Sequence, residues 1–279
     1  MIVQTAEPGR PHFVLTMAQH TDFCGQLAAA FGNDQFEVAD PRSELIYVVA
    51  NHDRGWDEYD AAPGLDPETR LPYSLVRTPP MASLVTNYGS PEFNERHSPY
   101  CGLLSSMHSW GLHNKRYGYS KYVVKNRSTT SIETPPQFAA EKEKMLAREV
   151  ARQERLRQTL RADGATAPWV EDAHLFQNYK QLQFFDTLSL YFHLDHEEAR
   201  GVETYVHVPR SSHDDSDVTV RRAGDATYAL SPFPFKESGM TFTCMGKYMD
   251  ALPEGSTQAE MLTVLGNAPI VAQTYTFVA

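Results

Sequence analysis

Asp186 lies in an apolar run, with Phe184, Phe185, Leu188, Leu190 and Phe192 around it. A carboxylate buried there without a partner would cost several kcal/mol. Its side chain must therefore reach solvent, meet a cation or hydrogen-bond donors, or ligate a metal. The residues one helical turn either way, including Leu182, Gln183, Leu188, Ser189 and Leu190, are largely apolar, which weakens the reading of a wet helix face. The pair His52-Asp53 closes a second apolar run and precedes Gly55. An adjacent imidazole and carboxylate at a helix end can converge on one ion, and the glycine frees the backbone that follows. His20, alone on a helical stretch, is by itself an ordinary core or surface histidine.

The segments that must position these groups read mainly as helices. Residues 16–31 carry Met17, Phe23, Leu27, Ala30 and Phe31 near helical spacing, with Gly32-Asn33-Asp34 as the stop. Ser43 is a plausible cap for a helix that delivers His52-Asp53, although its β-branched residues would also suit a buried strand. Residues 60–91 read as a proline-rich loop with a short helix over 81–88. Further helices are predicted over 99–112, 135–162 and about 171–193. Beyond Gly201 the texture turns β-rich, with strands over 202–208, 218–222, 226–230, 240–245 and 270–278 and a short helix over 258–265. The pattern predicts a mainly α body over residues 1–200 and a small β-rich cap over 201–279.

Composition narrows the function classes. The chain of 279 residues has 41% hydrophobic and 22% charged residues and a net charge of -10, so it reads as globular and poorly suited to non-specific nucleic-acid binding. The charge is uneven: counting from the sequence gives about -8 over 1–114, +6 over 115–163 and -6 over 195–279. No apolar run approaches the roughly 20 residues that span a bilayer. Three widely spaced cysteines and no recognisable secretory leader point to a reducing cytoplasm, without disulfides or a Cys-x-x-Cys zinc site. Gly-x-Ser-x-Gly, P-loop and Gly-x-Gly-x-x-Gly signatures are absent.

Taken in order, His20, then His52-Asp53-Arg54-Gly55, then Asp186 followed by Leu188-Ser189, resembles the HD-domain superfamily of metal-dependent enzymes. The chain is also similar to a family of uncharacterised bacterial proteins, through Gln19-His20, His52 to Trp56, Leu103 to His108, and Leu182 to Ser189. The first resemblance implies an HD-domain-like helical bundle and makes His20, His52, Asp53 and Asp186 metal ligands. Imidazole and carboxylate donors together suit Fe, Mn, Co, Ni or Zn, as one or two ions, better than Ca or Mg. His108 would join a second ion, contact substrate or act as acid or base, and Asp57 could assist proton movement. Gln183 is a candidate partner for a ligand, whereas Asp195 with His193 and His196 reads as a polar helix end. Lys115, Arg116 and Lys121, interleaved with tyrosines, could hold an anionic small-molecule substrate.

The resemblance implies a metal-dependent hydrolase, with a phosphate ester as the expected substrate. A di-iron oxygenase cleaving a C–C or C–P bond would use the same ligands with additional histidines. A helical module that binds a partner without turnover is the third expectation. Neither nucleic acid nor membrane is expected as a partner, and the sequence assigns no oligomeric state.

Overall fold

The computed structural model describes residues 1–113 and 134–279. Helix α1 (Met17–Ala30) opens on a reciprocal cap in which Thr16 and Gln19 satisfy each other's backbone amides. Helix α2 (Arg42–Val49) settles the helix-or-strand ambiguity and ends three residues before His52. A 3-10 turn (Arg54–Trp56) leads into the short helix α3 (Asp57–Ala61). Helix α4 (Pro80–His97) is much longer than the predicted 81–88, because Pro91 is accommodated inside it instead of ending it. Helices α5 (Pro99–His113), α6 (Ala139–Arg161) and α7 (Asp172–Leu194) follow the predicted positions closely.

Every residue of α7 from Gln177 to His193 is buried, so this helix has no solvent face along that stretch. The polar side chains Gln183, Asp186, Ser189 and His193 are therefore nearly or fully shielded from bulk water and look for partners inside.

The predicted small β cap is not what forms. The strands are β1 (Ile2–Val3), β2 (His12–Leu15), β3 (Glu203–Pro209), β4 (Asp215–Gly224), β5 (Thr227–Ser231), β6 (Met240–Met249) and β7 (Ile270–Val278). They make one seven-stranded sheet in the order β1-β2-β6-β7-β5-β4-β3. All neighbours are antiparallel except β5 and β7. Helix α8 (Gln258–Asn267) lies in the connection between β6 and β7. The fold is thus a helical layer against a large mixed sheet, which corrects the expectation of an HD-like bundle with a minor β appendage.

Strands β1 and β2 escaped sequence reading because two and four residues are too short to display alternation. β2 is held extended by pairing with β6, where His12 faces Met249 and Val14 faces Lys247, and β1 by pairing with β2, where Ile2 faces Leu15. The sheet is also a structural layer, not a lid. Phe23 of α1 packs edge-on to Phe242 and Tyr275, and Phe192 of α7 stacks on Phe277 at 5.2 Å. Phe184 meets Tyr205 across the same seam. The helices that carry His20 and Asp186 are therefore backed by the sheet.

Candidate metal centre

Five side chains from four parts of the chain converge in the interior. His20 comes from the first turn of α1, His52 and Asp53 from the turn after α2, His108 from α5 and Asp186 from α7. His20 and His52 are completely buried, and Asp53, His108 and Asp186 are nearly so. His20 Nε2 lies 3.1 Å from Asp186 Oδ1. His52 Nε2 lies 3.4 Å from Asp53 Oδ2 and 3.6 Å from Asp186 Oδ1. His108 Nε2 stands 3.9 Å from Asp186 Oδ2. The donor atoms of His20, His52 and Asp186 all lie within 4.8 Å of one another, as do those of His52, Asp53 and His108.

The other ring nitrogens show which atoms face the centre. His52 Nδ1 is 2.8 Å from the Val49 carbonyl, so Nδ1 carries the proton and donates it there. His20 Nδ1 is 3.0 Å from Ser189 Oγ, whose own proton goes to the Asp186 carbonyl at 2.7 Å. With that bond made, Ser189 Oγ accepts from His20, an assignment that puts the His20 proton on Nδ1. Both Nε2 lone pairs consequently face carboxylate oxygens, acceptor against acceptor. Such an arrangement is repulsive unless a proton or a metal ion lies between. Among the described residues, His52 Nε2 indeed forms no hydrogen bond of acceptable geometry. The donor chemistry and the fixed Nδ1–H groups fit a metal ion, and these His/Asp clusters could hold one.

Electrostatics without an ion tell the same story. Burial alone would push the His52 imidazolium down, yet Asp53 and Asp186 outweigh it and raise its pKa to about 9. Burial opposes the Asp186 carboxylate, but His20 and His52 hold its pKa well below the usual range. A proton on His52 thus places a positive charge beside the two carboxylates. His108 goes the other way: burial lowers its pKa to about 4, against the pull of Asp186, and leaves it a neutral imidazole near pH 7.

Not every predicted site residue joins this group. Asp57 is 41% exposed and pairs with Arg54 at 3.0 Å, turned toward solvent. Lys115, Arg116 and Lys121 lie outside the described residues. Conversely, His193 is not part of a polar helix end. It is fully buried, and its Nδ1 sits 3.1 Å from His20 Nδ1. Its spacing of seven residues, two turns on from Asp186, was the available signal. Cys24, one turn after His20, donates to Ser189 Oγ at 3.1 Å and so supports the same imidazole.

Gln183, one turn before Asp186, is completely buried, and among the described residues neither of its amide atoms has a hydrogen-bond partner of acceptable geometry. The nearby Tyr179 hydroxyl gives its proton to the Met107 carbonyl at 3.0 Å. A buried amide without partners destabilises a fold by about 1–3 kcal/mol. The isosteric change Gln183→Leu is therefore expected to raise the melting temperature by about 2–5 °C. A lower melting temperature in thermal denaturation would mean that the amide is satisfied after all.

A family model matches residues 1–251, from β1 past the end of β6. The chain belongs to DUF3891, a family of unknown function. No curated protein and no solved structure matches it. The matched span of this DUF3891 chain contains every residue of the centre described above. No helix among its described residues is long and apolar enough to cross a membrane.

Proposed function

We propose that this protein is a metal-dependent hydrolase of the HD type, acting on a phosphate ester through one divalent transition metal held by His20, His52, Asp53 and Asp186. The observation that carries this reading is the pair of Nε2 lone pairs directed at buried carboxylates, an arrangement that a cation relieves. Order along the chain adds support, since His20, His52-Asp53 and Asp186 follow the HD pattern. One ion is favoured over two because both donor groups share His52, whose single Nε2 lone pair can serve only one metal. A di-iron oxygenase would need a second set of imidazoles, and His193 turns its Nδ1 toward His20 instead.

When bound, the ion supplies Lewis acidity, lowering the pKa of water and drawing charge from a phosphoryl oxygen. The protein's own groups do the rest. Val49 and Ser189 hold the two imidazoles in register, so little reorganisation is needed on binding. His108, neutral and beside Asp186, is placed to accept a proton and return it to the leaving oxygen. Lys115, Arg116 and Lys121 follow α5, the helix of His108, in sequence and would attract the anionic substrate.

The test combines elemental analysis of protein purified without a metal-affinity tag with a phosphate-ester panel, for wild type, His52→Ala and Asp186→Asn. The expected result is about one ion per chain and turnover in the wild type, both lost in the variants. Loaded protein that hydrolyses none of the esters sinks the hydrolase reading, and two irons per chain would redirect it to oxygen chemistry. A wild type that takes up no metal after reconstitution would leave a binding module.

A further inference from the structure

A second group of metal-ligating side chains stands apart from the centre, at the corner where α4 gives way to α5. Glu44 from the first turn of α2, His97 from the end of α4 and Cys101 from the first turn of α5 meet there. Cys101 Sγ lies 3.1 Å from Glu44 Oε2, and His97 Nε2 lies 3.6 Å from the same oxygen. The three donor atoms are all within 4.8 Å of one another.

Those separations can be compared with a tetrahedral zinc site. Ligands at about 2.0 Å (N, O) and 2.3 Å (S) from the ion are about 3.3–3.5 Å apart along the tetrahedron's edges. The contacts of 3.1 and 3.6 Å to Glu44 bracket that span on two edges, and the third edge, His97 to Cys101, is within 4.8 Å. The imidazole is already oriented, since it stacks on the Tyr47 ring at 3.5 Å with planes 10° apart. Ser98 also donates its hydroxyl to Glu44, in the way an outer partner orients a ligating carboxylate. Cys101 is fully buried while His97 is 37% and Glu44 21% exposed, so the open fourth position faces solvent.

We propose that Glu44, His97 and Cys101 form a separate binding site for a thiophilic divalent cation of the zinc class, with water as the fourth ligand. On binding, the Cys101 S–H bond breaks heterolytically. The proton leaves to solvent, the sulfur lone pair forms the metal bond and no redox change occurs. The ion would pin α2 to the α4–α5 corner. It would thereby steady the turn that begins just after α2 and carries His52-Asp53. This inference does not depend on the hydrolase reading.

The probe is cobalt(II), added to the full chain under reducing conditions and followed by absorption. Thiolate ligation produces a near-ultraviolet sulfur-to-cobalt charge-transfer band, which ligands of imidazole and carboxylate alone do not give. The band is expected in the wild type and in Cys24→Ser, and lost in Cys101→Ser. His97→Gln, at a partly exposed position, is expected to weaken cobalt binding at this site at least tenfold, and it serves if Cys101→Ser fails to fold. The proposal is overturned if the wild type shows no band, if the band survives in Cys101→Ser, if Cys24→Ser removes it, or if His97→Gln leaves the affinity unchanged.

Discussion

Gly55→Ala is expected to lower the melting temperature by about 5–10 °C, as overpacking against unyielding atoms of about 3 kcal/mol or more should in a chain of this size. A methyl group at this position would come 2.1 Å from the Thr86 carbonyl oxygen and 2.5 Å from the Ser90 backbone nitrogen. Both atoms belong to the backbone of α4, so no side chain can rotate away. Gly89 faces Gly55 from the other side, and a methyl there would lie 3.0 Å from the Gly55 Cα. Helix α4 thus crosses the turn after His52-Asp53 with only hydrogens between the two backbones. The Gly55 amide also donates to Ser90 Oγ at 3.1 Å. The glycine of His-Asp-x-Gly serves close approach here, not backbone freedom, since Gly55 is absent from the residues with positive φ. Calorimetry of Gly55→Ala beside the milder Gly89→Ala checks this. A Gly55→Ala melting temperature within a degree of wild type would refute so tight a crossing. Metal affinity should fall with stability, because Asp53 stands two residues earlier.

Arg200→Ala is expected to cost about 3–5 kcal/mol, the range for breaking a buried hydrogen-bond network around a charged group. The guanidinium donates to the carbonyls of Phe192 at 2.7 Å and Asp195 at 2.9 Å, and to the hydroxyls of Tyr228 at 2.5 Å and Tyr275 at 3.3 Å. It also lies over the rings of Phe192, Tyr228 and Tyr275 at 5.1–5.6 Å. One side chain therefore ties the end of α7 to β5 and β7. Truncation removes four hydrogen bonds at once, although Gln4 still donates to the Phe192 carbonyl and Tyr275 still donates to Gln273, and it loosens the helix end that carries His193 behind His20. Chemical denaturation of Arg200→Ala and Arg200→Lys separates the contributions. Lysine keeps the charge but lacks the fork, so it should fall between wild type and alanine. An alanine variant that loses less than about 1 kcal/mol would show that this tie does not hold the sheet to the helix.

Much of the centre was legible because burial and chemistry conflict there. Asp186 is anomalous in any apolar run, and His52-Asp53 lies where a helix must end. His20 gained weight only from its order relative to the others. What stayed hidden was set by contacts distant in sequence. His193 and Cys24 matter only because α1 and α7 lie side by side, which no local spacing encodes. Asp57 looked available but finds Arg54 three residues away. On the fold side, helices with strong caps or stripes were found near their true limits. Pro91 inside α4 ran against the usual reading of proline as a stop. The sheet was underestimated because β2 acquires its strand character from β6, more than 200 residues later, and β1 acquires its own from β2.

The complete burial of α7 from Gln177 to His193 also sets the order in which parts of the molecule meet deuterium. Backbone amides of that helix can exchange only through openings that approach global unfolding, so Asp186 and His193 sit in the slowest segment. His52 and Asp53 belong to a short turn whose backbone bonds are local, Arg54 to Asn51 and Trp56 to Asp53, and such a turn is expected to open at lower free energy than the helix. The two halves of the centre thus answer to different clocks, and the turn, not the helix, sets how quickly the cluster comes apart.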